Sequence, residues 1–283
     1  MRLIISHQTN YFYEQLALRS VQYIRMTPMT LPHQTIHNWQ VMLPKVAQMQ
    51  TDGFGNQWLT LSRHEPHNNL QIQAFGEVEI NADTLFIPDN QQVPYQIFAV
   101  PTKLTQCSEA MRDFAHDALE QFLQTEDIDA QLAILKSLAK DLLDKMPYTK
   151  SVTHVGTTAE QAFAMAAGVC QDHTHVFLAL LRDKGIAARY VSGYIYEATQ
   201  AYMASHAWAE VWLAGNWYTF DISNQHFTPN CHVYIAFGRD YADAAPVRGV
   251  RTGGGDERLY SQVMVSTSPQ YIPQLNAQFA AQQ

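Results

Sequence analysis

The chain has 283 residues, of which 47% are hydrophobic, and a formal net charge of −8. This length and composition suit one large globular domain or two ordinary ones, and the acidic balance argues against nucleic acid or an anionic membrane as the main partner. Three cysteines do not make a disulfide framework, and no stretch reaches the ~20 apolar residues of a membrane span, so we expect a cytoplasmic protein with reduced thiols.

Residues 1–100 are predicted to form a β-rich N-terminal domain. Short apolar runs at 40–43, 58–61 and 70–75 are separated by turn residues such as Asp52-Gly53, and residues 77–80 alternate polar and apolar side chains. Strands at this spacing predict a small antiparallel sandwich or barrel. Three prolines between residues 86 and 101 mark the predicted linker to a second domain over residues 101–283.

The second domain begins with four predicted helices. Ser108 caps the first, which runs towards Gln124, and the second extends from Asp129 to Leu143. Residues 157–160 form a capping box for a short third helix that ends at Gly168. A fourth helix is predicted over residues 170–183.

Strand patterns follow the helices. They cover residues 188–195, 206–213 and 217–221, and then 233–237 and 261–265, with a glycine-rich flexible loop predicted at 251–256. A β domain followed by helices and then an antiparallel sheet indicates an α+β fold rather than βαβ alternation.

Cys170 is the predicted nucleophile. It stands at the start of the fourth helix, after Gly168-Val169 and before the polar residues Gln171, Asp172 and His173. A helix start carries unpaired N–H groups and a partial positive charge, so a thiol there ionises more easily. Cys107 and Cys231 lack this setting and are interpreted as inert thiols.

His206 and Asp221 are the predicted base and acid. In a strand, His206, Trp208 and Glu210 share one face, which could line a groove, while small residues on the other face pack under a helix. A turn centred between residues 215 and 216 places Asp221 opposite Glu210, on the face of His206 but about 13 Å along the strand from it. Glu210 is the rival acid.

The chemistry expected from these residues is acyl transfer. His206 takes the proton of Cys170, Asp221 orients the imidazole, and the Cys170 backbone N–H donates to an oxyanion. Tyr148 and Gln171 are the candidates for a second oxyanion donor. Zinc binding by Cys170 with nearby histidines, or by residues 64–67, is the competing interpretation, but neither spacing fits a zinc site.

The segments that carry these residues resemble the transglutaminase-like superfamily, in particular bacterial members with a β-rich N-terminal domain. The resemblance covers most of the chain and is carried by residues 168–175, 187–194, 205–211, 217–221 and 238–250, and by 52–56 and 65–67 in the N-terminal half. It implies a papain-like core with Cys170 as nucleophile, His206 as base and Asp221 as orienting acid.

The resemblance also implies that Asp240, Tyr241 and Arg248 lie near the site, although a buried salt-bridged loop is an equal interpretation of them. The substrate-binding residues that we predict are Gln171, Trp208, Tyr241 and Arg248. The sequence departs from the family at His173, where an aromatic residue is frequent, and at residues 222–224, where a proline is common.

Members of this superfamily cross-link proteins or hydrolyse peptides and amides, and they differ in whether an amine or water accepts the acyl group. We predict a cysteine protease or amidase, a hydrolase with a protein or peptide substrate and no cofactor or metal. A protein-glutamine transglutaminase and a non-catalytic binding protein with the same fold are the alternatives. No calcium-binding loop is present in the sequence, so calcium activation is not expected.

Overall fold

The computed structural model describes residues 1–90, 92–198, 202–203 and 205–267. Within these residues the chain forms two antiparallel sheets and five α-helices, which confirms the predicted α+β fold. The elements are β1 (Arg2–Ile24), β2 (Gln34–Met42), β3 (Gln48–Thr51), β4 (Gln57–Arg63), β5 (His67–Ile80), β6 (Ile87–Pro88), α1 (Glu109–Leu123), α2 (Ile128–Lys145), α3 (Ala159–Met165), α4 (Cys170–Asp183), β7 (Ala188–Ile195), β8 (Tyr202–Met203), β9 (His206–Leu213), β10 (Asn216–Phe220), β11 (His232–Gly238), α5 (Tyr241–Ala244), β12 (Val247–Gly253) and β13 (Glu257–Ser266).

The first sheet is built around the 23-residue strand β1. Its first half lies between β5 and β13, and its second half lies between β4 and β12. Buried side chains alternate with more exposed ones from Leu3 to Ile5, so one face of the strand meets the core. Because β12 and β13 pair with β1, residues 247–266 belong to the same sheet as the N-terminal strands. The predicted domain boundary at residue 100 stays a prediction.

The first three helices begin at capping side chains. Ser108 caps α1 by accepting a hydrogen bond from the Met111 N–H, as predicted. The caps of α2 and α3 lie one or two residues from the expected positions, at Asp127 and Thr158, because these side chains reach the free N–H groups of the first turn. None of the described helices combines the length and the apolar content needed to cross a bilayer.

The second sheet has the strand order β11-β7-β9-β10-β6 and carries the buried helix α4 on one face. Every side chain of α4 from Asp172 to Arg182 is buried. Ala207 and Ala209 of β9 belong to the same core, which confirms that the small-residue face of this strand packs under a helix. Gly185, with φ of 73°, permits the left-handed turn that follows α4.

The predicted proline linker is part of the second sheet. Residues 87–88 pair with β10 as an edge strand, where the missing N–H of Pro88 is tolerated. A 3₁₀ turn, Tyr95–Ala99, then packs against the sheet, with the Tyr95 ring stacked 3.8 Å from that of Trp212. The predicted flexible loop at 251–256 is also partly wrong, because residues 251–253 are the end of β12.

The first sheet also covers the free edge of β11. The Gln34 side-chain amide accepts a hydrogen bond from the Tyr234 N–H at 2.8 Å and donates one to the Tyr234 carbonyl at 3.0 Å. The Asn56 side-chain amide likewise accepts a hydrogen bond from the Phe237 N–H at 2.9 Å and donates one to the Phe237 carbonyl at 2.8 Å. Two side-chain amides therefore replace a neighbouring strand and satisfy backbone groups that would otherwise be buried without partners.

Candidate active site

The sequence around Cys170 folds into a tight helix start. The Asp172 carboxylate accepts hydrogen bonds from the Val169 backbone N–H at 2.8 Å and from Thr153 Oγ1 at 2.7 Å. A Cβ on Gly168 would come within 2.6 Å of Asp172 Cβ, so this position needs glycine. Cys170 is consequently held as the first residue of α4, half-buried, where free N–H groups of the helix converge.

The register of the β9–β10 hairpin brings the predicted base and acid together. The turn residues are Ala214 and Gly215, both with positive φ, as two-residue hairpin loops require. The ladder places Asp221 just beyond its end, opposite Trp208, so the expected register is wrong by two residues. Asp221 lies about 7 Å along the strand from His206 rather than about 13 Å, and His206 Nε2 reaches Asp221 Oδ2 at 2.7 Å.

Asp221 accepts four hydrogen bonds although it is fully buried. Its Oδ2 accepts from His206 Nε2, from His232 Nε2 at 3.1 Å and from Asn224 Nδ2 at 2.9 Å, and its Oδ1 accepts from the Asn224 backbone N–H at 3.2 Å. Burial by itself would raise the pKa of Asp221, but the charges and N–H groups of the two histidines hold it well below its ordinary value. The carboxylate therefore stays ionised.

His206 connects this carboxylate to the thiol. Its Nε2 donates to Asp221, so Nδ1 is the nitrogen free to take a proton from Cys170. Burial opposes the charged imidazolium, yet the Asp221 carboxylate, together with the charge and the hydrogen bond of Cys170, raises the pKa of His206 to about 10. The imidazole is therefore a strong enough base to accept a proton from a neighbouring thiol.

Glu210, the rival acid, is occupied elsewhere. Its carboxylate lies 2.6 Å from Arg189 Nε and accepts a hydrogen bond from the Tyr234 hydroxyl at 2.9 Å. The Arg189 guanidinium is stacked between two aromatic rings, 4.1 Å from Trp217 and 4.0 Å from Phe237. Glu210 is thus part of a buried structural ion pair, and it does not bond His206.

Two of the predicted substrate-binding residues have other contacts. Trp208 is fully buried, with its ring centre 6.0 Å from that of His206, so the prediction that it lines a groove is wrong. The strand face that carries it is covered by a second hydrophobic core. Gln171 Nε2 donates to the Val155 carbonyl at 3.2 Å, which leaves Tyr148 as the better candidate for an oxyanion donor.

Tyr148 lies beside the start of α4. Its backbone pairs with Gly168 in an isolated bridge, and its side chain is 46% exposed. Partial burial, followed by the negative charges of Cys170, Asp172 and Asp221, raises the pKa of Tyr148 to about 12. The hydroxyl therefore keeps its proton at neutral pH and can donate it in a hydrogen bond.

His173 and Ser223, which both depart from the family pattern, contact each other. His173 Nδ1 lies 2.8 Å from Ser223 Oγ, and His173 Nε2 lies 2.7 Å from the Met146 carbonyl. A carbonyl only accepts, so Nε2 carries the proton and Nδ1 accepts from the serine hydroxyl. The sequence marks residues 222–224 only as a departure from the family pattern, and these contacts of Ser223 and Asn224 were not predicted.

Asp240, Tyr241 and Arg248 lie around α5. Asp240 caps this short helix through the Ala242 N–H at 2.8 Å. The Tyr241 N–H donates to His175 Nε2 at 3.1 Å, which connects α5 to α4. Arg248 Nη1 donates to the Ala242 carbonyl at 3.3 Å. In the described part of the chain, Asp240 and Arg248 form no ion pair, but the loop itself is salt-bridged, because Arg239 Nε lies 2.8 Å from Asp243 Oδ2.

The metal interpretation of the sequence does not match the contacts of His173 and His175, whose Nε2 atoms both have protein partners. Among the described residues, the group that could hold a metal ion is instead His206, Asp221 and His232, whose ligand atoms lie within 4.8 Å of one another. Both imidazoles donate to one oxygen of Asp221, an arrangement that fits a hydrogen-bonded charge network.

Comparison with known proteins agrees with the architecture. Residues 118–222, which include Cys170, His206 and Asp221, match the model of the transglutaminase-like superfamily, and residues 3–79 match that of the bacterial transglutaminase-like N-terminal region. An uncharacterized protein of Mycobacterium leprae is 28% identical over 275 residues, covering 90% of this chain and 94% of that protein. An uncharacterized Mycobacterium tuberculosis protein is 26% identical over 282 residues, covering 88% and 87%.

Among solved structures, a candidate cysteine protease from Cytophaga hutchinsonii superposes with a TM-score of 0.72 at 21% identity, covering 94% of this chain and 90% of that chain. It therefore shares the fold. The resemblance seen in the sequence is confirmed: the chain combines a transglutaminase-like core with a bacterial transglutaminase-like N-terminal region.

Proposed function

We propose that this chain, with its transglutaminase-like core, is a cysteine-dependent acyl-transfer enzyme that hydrolyses amide or peptide bonds through a thioester on Cys170. One observation carries the proposal: His206 Nε2 donates to the Asp221 carboxylate at 2.7 Å, and this carboxylate together with the neighbouring Cys170 raises the pKa of His206. A nucleophile, a base and an orienting acid in series are the arrangement that thioester chemistry needs.

In the first half of the reaction, the Cys170 thiolate attacks the carbonyl carbon of the amide. The C=O electron pair moves to oxygen and forms a tetrahedral oxyanion, which the Cys170 backbone N–H and the Tyr148 hydroxyl stabilise. When the oxyanion collapses, the C–N bond breaks and the His206 imidazolium gives its proton to the leaving amine. The acyl group then remains on sulfur as a thioester.

In the second half, water attacks the thioester while neutral His206 takes one of its protons. A second oxyanion forms and collapses, and the C–S bond breaks to release the carboxylic acid and Cys170. Asp221 keeps the imidazole in one tautomer throughout and remains ionised. An amine in place of water would give an amide, so the acceptor separates a hydrolase from a transglutaminase.

Thiol alkylation tests the activated cysteine. Burial raises the pKa of Cys107 to about 11 and that of Cys231 to about 12, so both are thiols at pH 6. Iodoacetamide at pH 6 is expected to modify Cys170 at least tenfold faster than either, as followed by peptide mass spectrometry. His206→Ala should remove the difference, and equal rates at the three cysteines in the unmodified chain would contradict the proposal.

Fluorescein-labelled casein then distinguishes the acceptors. Release of soluble fluorescent peptides supports the hydrolase, whereas incorporation of a dansylated primary amine into intact casein identifies a transglutaminase. A reactive Cys170 that does neither would point to a non-catalytic protein that keeps the site. Cys170→Ala is the control for both assays.

A further inference from the structure

A cleft of about 490 Å³ lies where the first sheet meets the catalytic region. One wall comes from β1, β12 and β13, and the other from α5 and the loop at residues 155–156. Its volume is within the roughly 300–1,000 Å³ of small-ligand sites. Tyr11 and Tyr13 from β1 and Tyr241 from α5 give it an aromatic lining.

The cleft lies beside α4, the helix that begins at Cys170. Val155 lines it, and the Val155 carbonyl accepts a hydrogen bond from Gln171, the residue after Cys170. The Tyr241 ring centre lies 6.3 Å from that of Tyr190. The Tyr241 N–H donates to His175 Nε2 at 3.1 Å, so a second lining residue contacts α4. Two lining residues of the cleft are thus in contact with the helix that begins at Cys170.

The cleft is positively charged within an acidic protein. Its charged lining residues are two arginines and one glutamate, whereas the whole chain carries a net charge of −8. Arg251 is neutralised by Glu257, with 3.3 Å between Nε and Oε2, and it lies over the Tyr13 ring. Arg248 is bonded to a backbone carbonyl, and no carboxylate of the described residues forms an ion pair with it.

We propose that this cleft binds the acyl part of the substrate and that Arg248 selects a peptide with a carboxylate side chain there. The inference rests on the proposed function and adds its substrate class. A guanidinium without an acidic partner offers several N–H donors to a carboxylate, and charge-assisted hydrogen bonds of this kind are the strong ones. The phenol rings and apolar side chains of the walls accept the rest of the peptide.

Peptidyl chloromethyl ketones provide the test, because they alkylate the active-site thiol after binding as acyl donors. Acetyl-tripeptide probes carry glutamate or glutamine at the first, second or third position from the reactive group, with alanine elsewhere. At one of these three positions, the probe with glutamate is expected to alkylate Cys170 about tenfold faster than the probe with glutamine. Arg248→Gln should bring this ratio to about one, while Arg19→Gln, a matched loss of charge at an exposed position of β1, should preserve it.

Because the glutamate and glutamine probes are compared within one variant, any change in the reactivity of the Cys170 thiol cancels in the ratio of their rates. A glutamate preference at no position, or one that survives Arg248→Gln, overturns the cleft assignment. Iodoacetamide separates this result from failure of the proposed function, because it needs no cleft. Selective alkylation of Cys170 by iodoacetamide without a glutamate preference contradicts the cleft alone, and absence of selective alkylation contradicts the activated thiol.

Discussion

The imidazole of His173 accepts a hydrogen bond from Ser223 Oγ at 2.8 Å and thereby joins α4, which begins at Cys170, to the loop that holds Asp221. Its other nitrogen donates to the Met146 carbonyl at 2.7 Å, two residues before Tyr148. His173 is fully buried, and burial lowers its pKa, so the ring stays neutral and keeps both bonds at physiological pH. One side chain thus fixes segments on both sides of Cys170.

A double-mutant cycle measures this coupling. His173→Phe and Ser223→Ala are each expected to destabilise the protein, since each leaves a polar group without its partner. The double variant should recover about 1 kcal/mol relative to the sum of the two losses in the free energy of unfolding, measured with urea. If the two losses in the free energy of unfolding simply add, the two residues act independently. Thr125→Ala, remote from the site, serves as the control.

Asp221→Asn tests the orienting acid. The substitution keeps the size of the side chain but removes the charge that favours the His206 imidazolium, so the pKa of His206 falls towards its ordinary value. We expect casein hydrolysis to fall by about 10²- to 10⁴-fold, and alkylation of Cys170 at pH 6 to fall with it. Unchanged alkylation at pH 6 would contradict a thiolate held by the Asp221–His206 pair.

Tyr148→Phe tests the second oxyanion donor. Loss of one such donor costs about 10²- to 10³-fold in turnover, because the developing charge loses a hydrogen bond that the ground state does not need. Alkylation by iodoacetamide forms no oxyanion, so its rate is expected to stay within about twofold. A parallel loss in both assays would show that Tyr148 instead supports the position of Cys170.

The pH dependence of stability follows from buried histidines. Burial lowers the pKa of His7 and His33 to about 4 and that of His175 to about 3, whereas the unfolded chain titrates near 6.5. Below pH 6.5 the unfolded state therefore binds more protons, and stability is lost as the pH falls towards these folded values. His206 has the opposite sign, since its raised pKa gives stability that is lost as the pH rises towards about 10.

Urea unfolding between pH 4.5 and 9.5 checks these signs. The loss on the acid side is on the order of several kcal/mol for the three histidines together. His175→Gln keeps an acceptor for the Tyr241 N–H but removes a titrating group, so it should flatten the acid limb. His116→Gln, at an exposed helix position, should leave the slope unchanged. A stability that rises below pH 6.5 would contradict neutral burial of these rings.

The elements and the position of Cys170 at a helix start could be predicted because their signals are local. The apolar face of α1, the buried run of α4 and the glycine before Cys170 are each readable within a few residues, as are the strand β9 and its helix-facing side. The cap of α2 and the edge strand inside the proline-rich segment were missed, since competing polar residues and distant strand partners decide them.

By itself, the sequence determined which residues have the chemistry: a thiol at a helix start, a histidine at the start of a strand and an aspartate at the end of the next. Only the tertiary structure decided that Asp221 rather than Glu210 meets His206, because the hairpin turn at Ala214 and Gly215 shifts the register by two residues. The tertiary structure also pairs Glu210 with Arg189 and buries Trp208 in the core. Strand pairing and burial depend on partners far apart in the chain, and no local pattern contains them.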